Sequence, residues 1–207
     1  MDKLVVVVAN LPCTAGTFQT HYIARLLSDQ TWITGETNPV SRTSPISFSP
    51  EDPWHFLRSS GVISQEDCKQ EYARRLHHLL DVFIRCKTTK ILLIRDHTLG
   101  EAPRFRRHPS GSLAPELIRL IESRSIPLFC FFTHRDPFDA LISTRRSFRG
   151  IGQAEEFRTA YNYAELYQKS WTAWKMHAEK FLDVRIEDLV DHEREQQARI
   201  LLSLIHI

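Results

Sequence analysis

Glycine, lysine-bearing phosphate loops and long apolar runs are all scarce in this sequence. Only seven of its 207 residues are Gly, which excludes a collagen-like or Gly-rich low-complexity chain. Neither GxGxxG nor GxxxxGK[ST] occurs, so the two commonest phosphate-cradling loops are missing in their standard form. The longest unbroken apolar stretch is residues 4–9, far below the roughly 20 residues of a membrane span. Asp2 and Lys3 lead straight into it, so no leader and no membrane span is expected. The four cysteines, Cys13, Cys68, Cys86 and Cys130, form no CxxC and no Cys/His spacing suited to zinc. A reducing, cytoplasmic setting and no metal are expected. A strong charge of either sign is also absent: 27 basic and 25 acidic residues leave a formal +2, which argues against nonspecific nucleic-acid binding.

The chain is 42% hydrophobic and 25% charged, an ordinary globular composition. At this length roughly 70% of the unfolded surface can be buried without disulfide or metal staples. Residues 3–9 are β-branched and almost continuously apolar, as in a strand covered on both faces. Further buried strands are expected over residues 90–94, 126–133 and 181–186. Helical patterns fall at about 17–28, 65–85, 113–123, from Pro137 onward, 154–180 and 187–204. Trp171 and Trp174 share one helical face and read as core. Residues 31–60, with Pro39, Pro45, Pro50 and Pro53, read as a long irregular connection, and 104–112 as a second. Strands separated by helices predict a single α/β domain, a three-layer parallel sheet with helices on both faces.

In such sheets ligands bind beyond the carboxyl ends of the strands. After the first strand comes Pro12-Cys13-Thr14-Ala15-Gly16-Thr17, a turn into a helix that could cradle an anion with backbone N–H groups. A plain strand–helix turn explains it as well. After the second comes Arg95-Asp96-His97, where alternation puts Arg95 and His97 on one side and Asp96 on the other. His97 could act as a base beside Arg95, or be a surface loop residue. After the third comes Arg135-Asp136-Pro137, with Ser143 about two turns on, an arginine fork plus a hydroxyl suited to phosphate. Asp139 serves the helix dipole equally well. Between Glu101 and Arg149 there are nine Arg, no Lys and five acids, consistent with bidentate oxyanion recognition or with a solvated basic face. His77 and His78 point to different faces and make a poor zinc pair.

Taken in order, these segments resemble the sulfotransferase family that uses PAPS (3′-phosphoadenosine 5′-phosphosulfate). Residues 12–17 are similar to its 5′-phosphosulfate loop, Arg95-Asp96-His97 to its K-x-H segment, and Arg135 to Ser143 to its 3′-phosphate motif. Val184-Arg185-Ile186-Glu187-Asp188-Leu189 is similar to a late strand–helix segment. The resemblance implies a P-loop-NTPase-like sulfotransferase fold and sulfuryl transfer from PAPS to the hydroxyl or amine of a small-molecule or glycan acceptor. It implies His97 as general base with Arg95 beside it. Thr14, Ala15, Gly16, Thr17 and Phe18 would hold the 5′-phosphosulfate, and Arg135 with Ser143 the 3′-phosphate. The chain departs from the family at Thr14, where Lys or Arg is usual, at Ala15, at Phe18 and at Ile186. It also stops before the family's C-terminal Arg-Lys-Gly segment, so a shortened domain is expected. A degenerate, non-catalytic nucleotide-binding or interaction protein is one alternative. A P-loop phosphotransferase is another, argued against by the missing Walker lysine. The acceptor and the oligomeric state are not legible, and Arg104, Arg106, Arg107, His108 and Trp54 are assigned no role.

Overall fold

The computed structural model describes residues 3–10, 16–27, 31–34, 64–97, 114–147, 159–178 and 180–205. Five strands, β1 (Leu4–Asn10), β2 (Thr31–Thr34), β3 (Ile91–His97), β4 (Leu128–His134) and β5 (Lys180–Arg185), form one sheet. Every strand pair is parallel, in the order β2-β3-β1-β4-β5. Among the described residues, seven helices connect or follow them: α1 (Gly16–Leu26), α2 (Gln65–Arg85), α3 (Ala114–Ser123), α4 (Pro137–Ser147), α5 (Ala160–His177), α6 (Ile186–Asp191) and α7 (Glu193–Ile205).

β1 is buried along its whole length, as its unbroken apolar run requires of a central strand. Its alternating side chains feed two cores. Val5, Val7 and Ala9 pack with Leu76, Leu80 and Phe83 of α2, Ile121 of α3 and Trp174 of α5. Leu4, Val6 and Val8 pack with Ile23 of α1, Leu189 of α6 and Ile200 of α7. Burying each such valine stabilises by about 1.5–3 kcal/mol at most, because real unfolded chains already hide some of that surface.

Local signals set the helix starts. Ser64 caps α2 by accepting from the Asp67 N–H at 3.0 Å, while the Asp67 carboxylate accepts from the Ser64 N–H at 3.3 Å. Thr159 caps α5 through the Asn162 N–H at 3.1 Å. Asp136 caps α4, its Oδ1 accepting from Phe138 N–H at 2.9 Å and Asp139 N–H at 3.2 Å, with Pro137 at the first helical position.

Two sequence expectations change. Residues 31–34, read as the start of an irregular connection, form β2 against β3. The expected helix over 187–204 is two helices broken at His192, whose φ of −129° and ψ of 44° leave the helical region. The remainder of the 31–60 connection and the 104–112 loop, with Trp54, Arg104, Arg106, Arg107 and His108, lie outside the described residues. No helix among the described residues is long and apolar enough to cross a membrane.

Candidate functional site

The strand order turns on β1. The chain leaves β1 through α1 toward β2 at one edge, returns to β3, then crosses β1 to reach β4 and β5. A reversal of this kind opens a crevice beyond the strand carboxyl ends, the usual ligand position in parallel sheets.

At that end the registers align His97 of β3, Asn10 of β1, Thr133 of β4 and Val184 of β5 in one row. The apolar periodicity of each strand gives way to polar residues here, and several are buried: Asn10, Gln19, Thr20 and Thr133. Thr133 resolves its own burial by donating from Oγ1 to the Ala9 carbonyl at 3.2 Å. Asn10 accepts at Oδ1 from Nε of Arg95, 3.3 Å away. Both residues continue the face that carries Val8 and Leu93 toward α1, so the guanidinium is anchored on the α1 side of the sheet. Gln19, in the opening turns of α1, is fully buried, and neither atom of its amide finds a hydrogen-bond partner among the described residues.

Of the residues expected at this end, Thr14 and Ala15 lie outside the described residues. Gly16 is the first residue of α1, where unsatisfied backbone N–H groups and the helix dipole favour an anion. The Thr17 backbone follows in the same turn. Phe18 is half-exposed and stacks on Tyr22 with ring centroids 6.0 Å apart. His97 closes β3 beside Asn10, but its side chain and that of Asp96 lie outside the described residues.

Across the sheet a carboxylate ties two strand–helix junctions together. Glu187, in the first turn of α6, accepts at Oε1 from the Asp136 N–H at 3.2 Å and at Oε2 from Nε of Arg185 at 3.1 Å. Partial burial works against its charged form. Backbone N–H groups of Glu187 itself and of Asp136, with the Arg185 charge, outweigh that and hold its carboxyl below the usual range. Arg135 stands between two acids, with Nε 3.9 Å from Glu187 Oε1 and an Nη 3.7 Å from Asp139 Oδ2. Ser143 sits two turns into α4, partly buried.

On the opposite face of β4 and β5 lies a second polar group. His134 Nε2 is 3.2 Å from Asp183 Oδ1, an ion-pair contact rather than an aligned hydrogen bond. The indole N–H of Trp171 donates to Asp183 Oδ2 at 3.0 Å. Tyr167 packs edge-on against His134 at 5.6 Å. Burial, and then the Asp183 charge and hydrogen bond, push its phenol well above the ordinary range.

Sequence reasoning missed Asn10, Gln19, Glu187, Asp183 and His134 as site members. Asn10 carried a usable signal, as the polar residue that ends an otherwise apolar central strand. Glu187 and Asp183 were harder to read, because besides nearer partners each also meets one about 50 residues away, Asp136 and His134 respectively.

No family model matches the chain, and no curated protein matches it in sequence. The fold is similar to that of solved kinases. Shikimate kinase from Acinetobacter baumannii in complex with shikimate superposes with a TM-score of 0.51 and 12% identity, covering 100% of this chain and 94% of that one. Thymidylate kinase from Ehrlichia chaffeensis gives 0.51 and 10%, covering 96% and 99%. Thymidylate kinase from Candida albicans gives 0.50 and 12%, covering 97% and 94%.

These similarities overturn the resemblance to PAPS-dependent sulfotransferases drawn from short motifs. The assignments as a sulfotransferase, with sulfuryl transfer and PAPS as donor, fall with it. Arg135, from the motif that carried most of that resemblance, faces the carboxylates of Glu187 and Asp139. What the architecture establishes is a parallel α/β fold of the P-loop NTPase type.

Proposed function

We propose that this chain is a phosphotransferase-type protein that holds the phosphate chain of a nucleoside triphosphate over the β1–α1 turn. The observation that carries this reading is Arg95 anchored by buried Asn10 at the end of β1, on the side where Gly16 opens α1. A helix N-terminus attracts phosphate through its free N–H groups and dipole. It does not by itself neutralise several negative charges, which in a Walker loop is the task of a lysine. The 11–17 turn has no lysine, and Arg95 is the cation placed to substitute for it. The unpartnered Gln19 amide fits the same ligand, since a buried donor and acceptor left open call for a bound group or water. Nucleoside triphosphates bind as magnesium complexes whose ion neutralises charge on the transferred group. Shikimate and thymidylate, named for the structurally similar kinases, are the first acceptors to try.

The reading is tested by thermal melts with and without millimolar MgATP or MgGTP, followed by transfer of labelled γ-phosphate to an acceptor panel. A ligand at about 100 times its Kd stabilises by about 2.7 kcal/mol, which raises Tm by roughly 5–10 °C in a chain of this size. No shift with either nucleotide would overturn the proposal. The lysine-free turn favours a second reading, nucleotide binding without turnover; a melt shift with no labelled product would establish that one.

A further inference from the structure

Arg135 shares a face of the sheet end with Arg95. In β4, Phe129 and Phe131 pack in the core under α1, α6 and α7, while Cys130 and Phe132 pack in the other core. The strand period of two therefore carries Thr133, and then Arg135, to the α1 side. The contact of Arg135 with Glu187 agrees, because Leu189 of the same helix packs in that core. On this face α1 lies on β1 and β3, and α6 on β5. The two arginines thus rise from the strands on either side of β1, between α1 and α6. Val8 pairs with both Arg95 and Phe131, so Arg135 starts four residues further along the sheet than Arg95 and two strands across. On standard strand spacings that is roughly 16 Å between α-carbons. Such a span suits one anion on each side of a transferred group better than a single phosphate held by both. The Arg135 guanidinium is also loosely held. Its side chain is 34% exposed, and its ion pairs with Asp139 at 3.7 Å and Glu187 at 3.9 Å are both too long for hydrogen bonds. Glu187 has nearer donors, the Asp136 N–H at 3.2 Å and Arg185 Nε at 3.1 Å. The Asp136 carboxylate is engaged in capping α4. Asp139 is 59% exposed and can turn to water.

We propose that Arg135 holds a carboxylate of the phosphoryl acceptor, which takes the place of Asp139 on its guanidinium. This rests on the phosphotransferase reading above and adds a substrate class, a hydroxyl compound bearing one carboxylate. An aligned guanidinium–carboxylate pair closes two parallel N–H···O bonds of about 2.7–2.9 Å. The resting pairs offer only one long contact to each acid. An incoming carboxylate replaces the Asp139 charge one for one, so the charge around Glu187 is unchanged. A doubly charged phosphate would add a further negative charge beside Glu187 and is disfavoured. With its acid group at Arg135, the acceptor extends toward β1, where its hydroxyl meets the phosphate chain placed by Arg95.

The test is an NMR titration of the Arg135 Nε–Hε signal, assigned with Arg135→Lys, in the whole chain saturated with a non-hydrolysable triphosphate analogue and magnesium. The probe is sodium acetate, with sodium chloride at matched ionic strength as its control. Acetate should move the Arg135 signal saturably, while Arg124, paired with Asp81 at 2.9 Å, stays in place. Asp139→Asn should tighten the response about twofold to fivefold, the worth of an exposed charge pair. Arg135→Lys, which keeps the charge but loses the fork, should lose most of the acetate response at the Asp136 amide. An Arg135 signal that follows acetate no more than chloride overturns this inference and leaves the phosphotransferase reading intact, provided nucleotide binding is seen elsewhere in the spectrum. A stronger response to inorganic phosphate than to acetate at equal concentration overturns the carboxylate assignment. Absence of nucleotide binding overturns the phosphotransferase reading and this inference with it.

Discussion

Arg95 on β3 reaches across to β1 and donates from Nε to Oδ1 of Asn10, 3.3 Å away, at the end of the sheet where the chain reverses direction. The pairing solves two problems together. A buried amide needs a partner, and a half-buried guanidinium with one nitrogen pinned loses less freedom when it engages an anion. The same contact links the strand that precedes the proposed phosphate turn to the strand that ends at His97.

Replacing Arg95 by Met should weaken nucleotide binding roughly tenfold to a hundredfold, the value of about 1.5–3 kcal/mol for a hydrogen bond to a charged group. Arg95→Lys should recover only part of it, because a point charge lacks the planar fork. Isothermal titration with MgATP measures both. Equal affinity in wild type and Arg95→Met would remove Arg95 from the site.

Asn10→Ala should cost about 1–3 kcal/mol of stability, since it removes a buried amide and strips an acceptor from the partly buried Arg95. Urea denaturation measures this. A loss below about 0.5 kcal/mol, the range of ordinary surface changes, would mean the contact is not held in solution.

Much of this fold is legible in the sequence, for physical reasons. β1 announces itself because a central parallel strand must be apolar on both faces, and residues 4–9 are. The limits of α2 follow from the Ser64–Asp67 capping box at one end and Arg85 before the strand-like run at the other. β2 escaped notice because four residues at a sheet edge, Thr-Trp-Ile-Thr, give too short a pattern beside a proline-rich stretch. The break at His192 escaped because neither Gly nor Pro marks it. The site was less legible. Arg135-Asp136-Pro137 correctly signalled a strand–helix junction, with Pro137 at the first turn of α4. What Arg135 touches is decided by Glu187, far along the chain, and no local pattern encodes that pairing. Motif strings record residue types, whereas the field around an arginine depends on which carboxylates the topology delivers.

The capping box gives a clean local check. Ser64→Ala removes the acceptor for the Asp67 N–H at an exposed helix start, and should cost about 1 kcal/mol. Ser64→Gly should cost only a few tenths. Chemical denaturation of the three proteins ranks them, and an order with Gly least stable would contradict a capping role.

Core and surface aromatics should separate sharply. Phe131 is fully buried in β4 and packs on Phe129 at 4.5 Å between centroids. Phe131→Ala should cost about 3–5 kcal/mol. Phe138 is 65% exposed at the start of α4, and Phe138→Ala should change stability by no more than about 0.5 kcal/mol. Similar losses for both would mean that Phe138 is covered in solution.

Glu187 gives the pH dependence. Its carboxyl is held below the ordinary range in the folded chain, while in the unfolded chain it returns to about 4.3. The folded state therefore binds that proton less readily. The resulting stabilisation is fully present above the unfolded value and is lost as pH falls from there through the lower folded value. Glu187→Gln removes the charge that joins Arg185, Arg135 and the Asp136 N–H across the α4 and α6 junctions. At pH 7 the variant should be less stable than wild type. The gap should narrow as pH drops below about 4.3 and close once wild-type Glu187 is protonated. Urea midpoints at pH 7, 5, 4 and 3 for both proteins trace that convergence. A gap that stays constant down to pH 3 would show that the charge on Glu187 contributes nothing, and that the variant suffers from lost packing or hydrogen bonding alone.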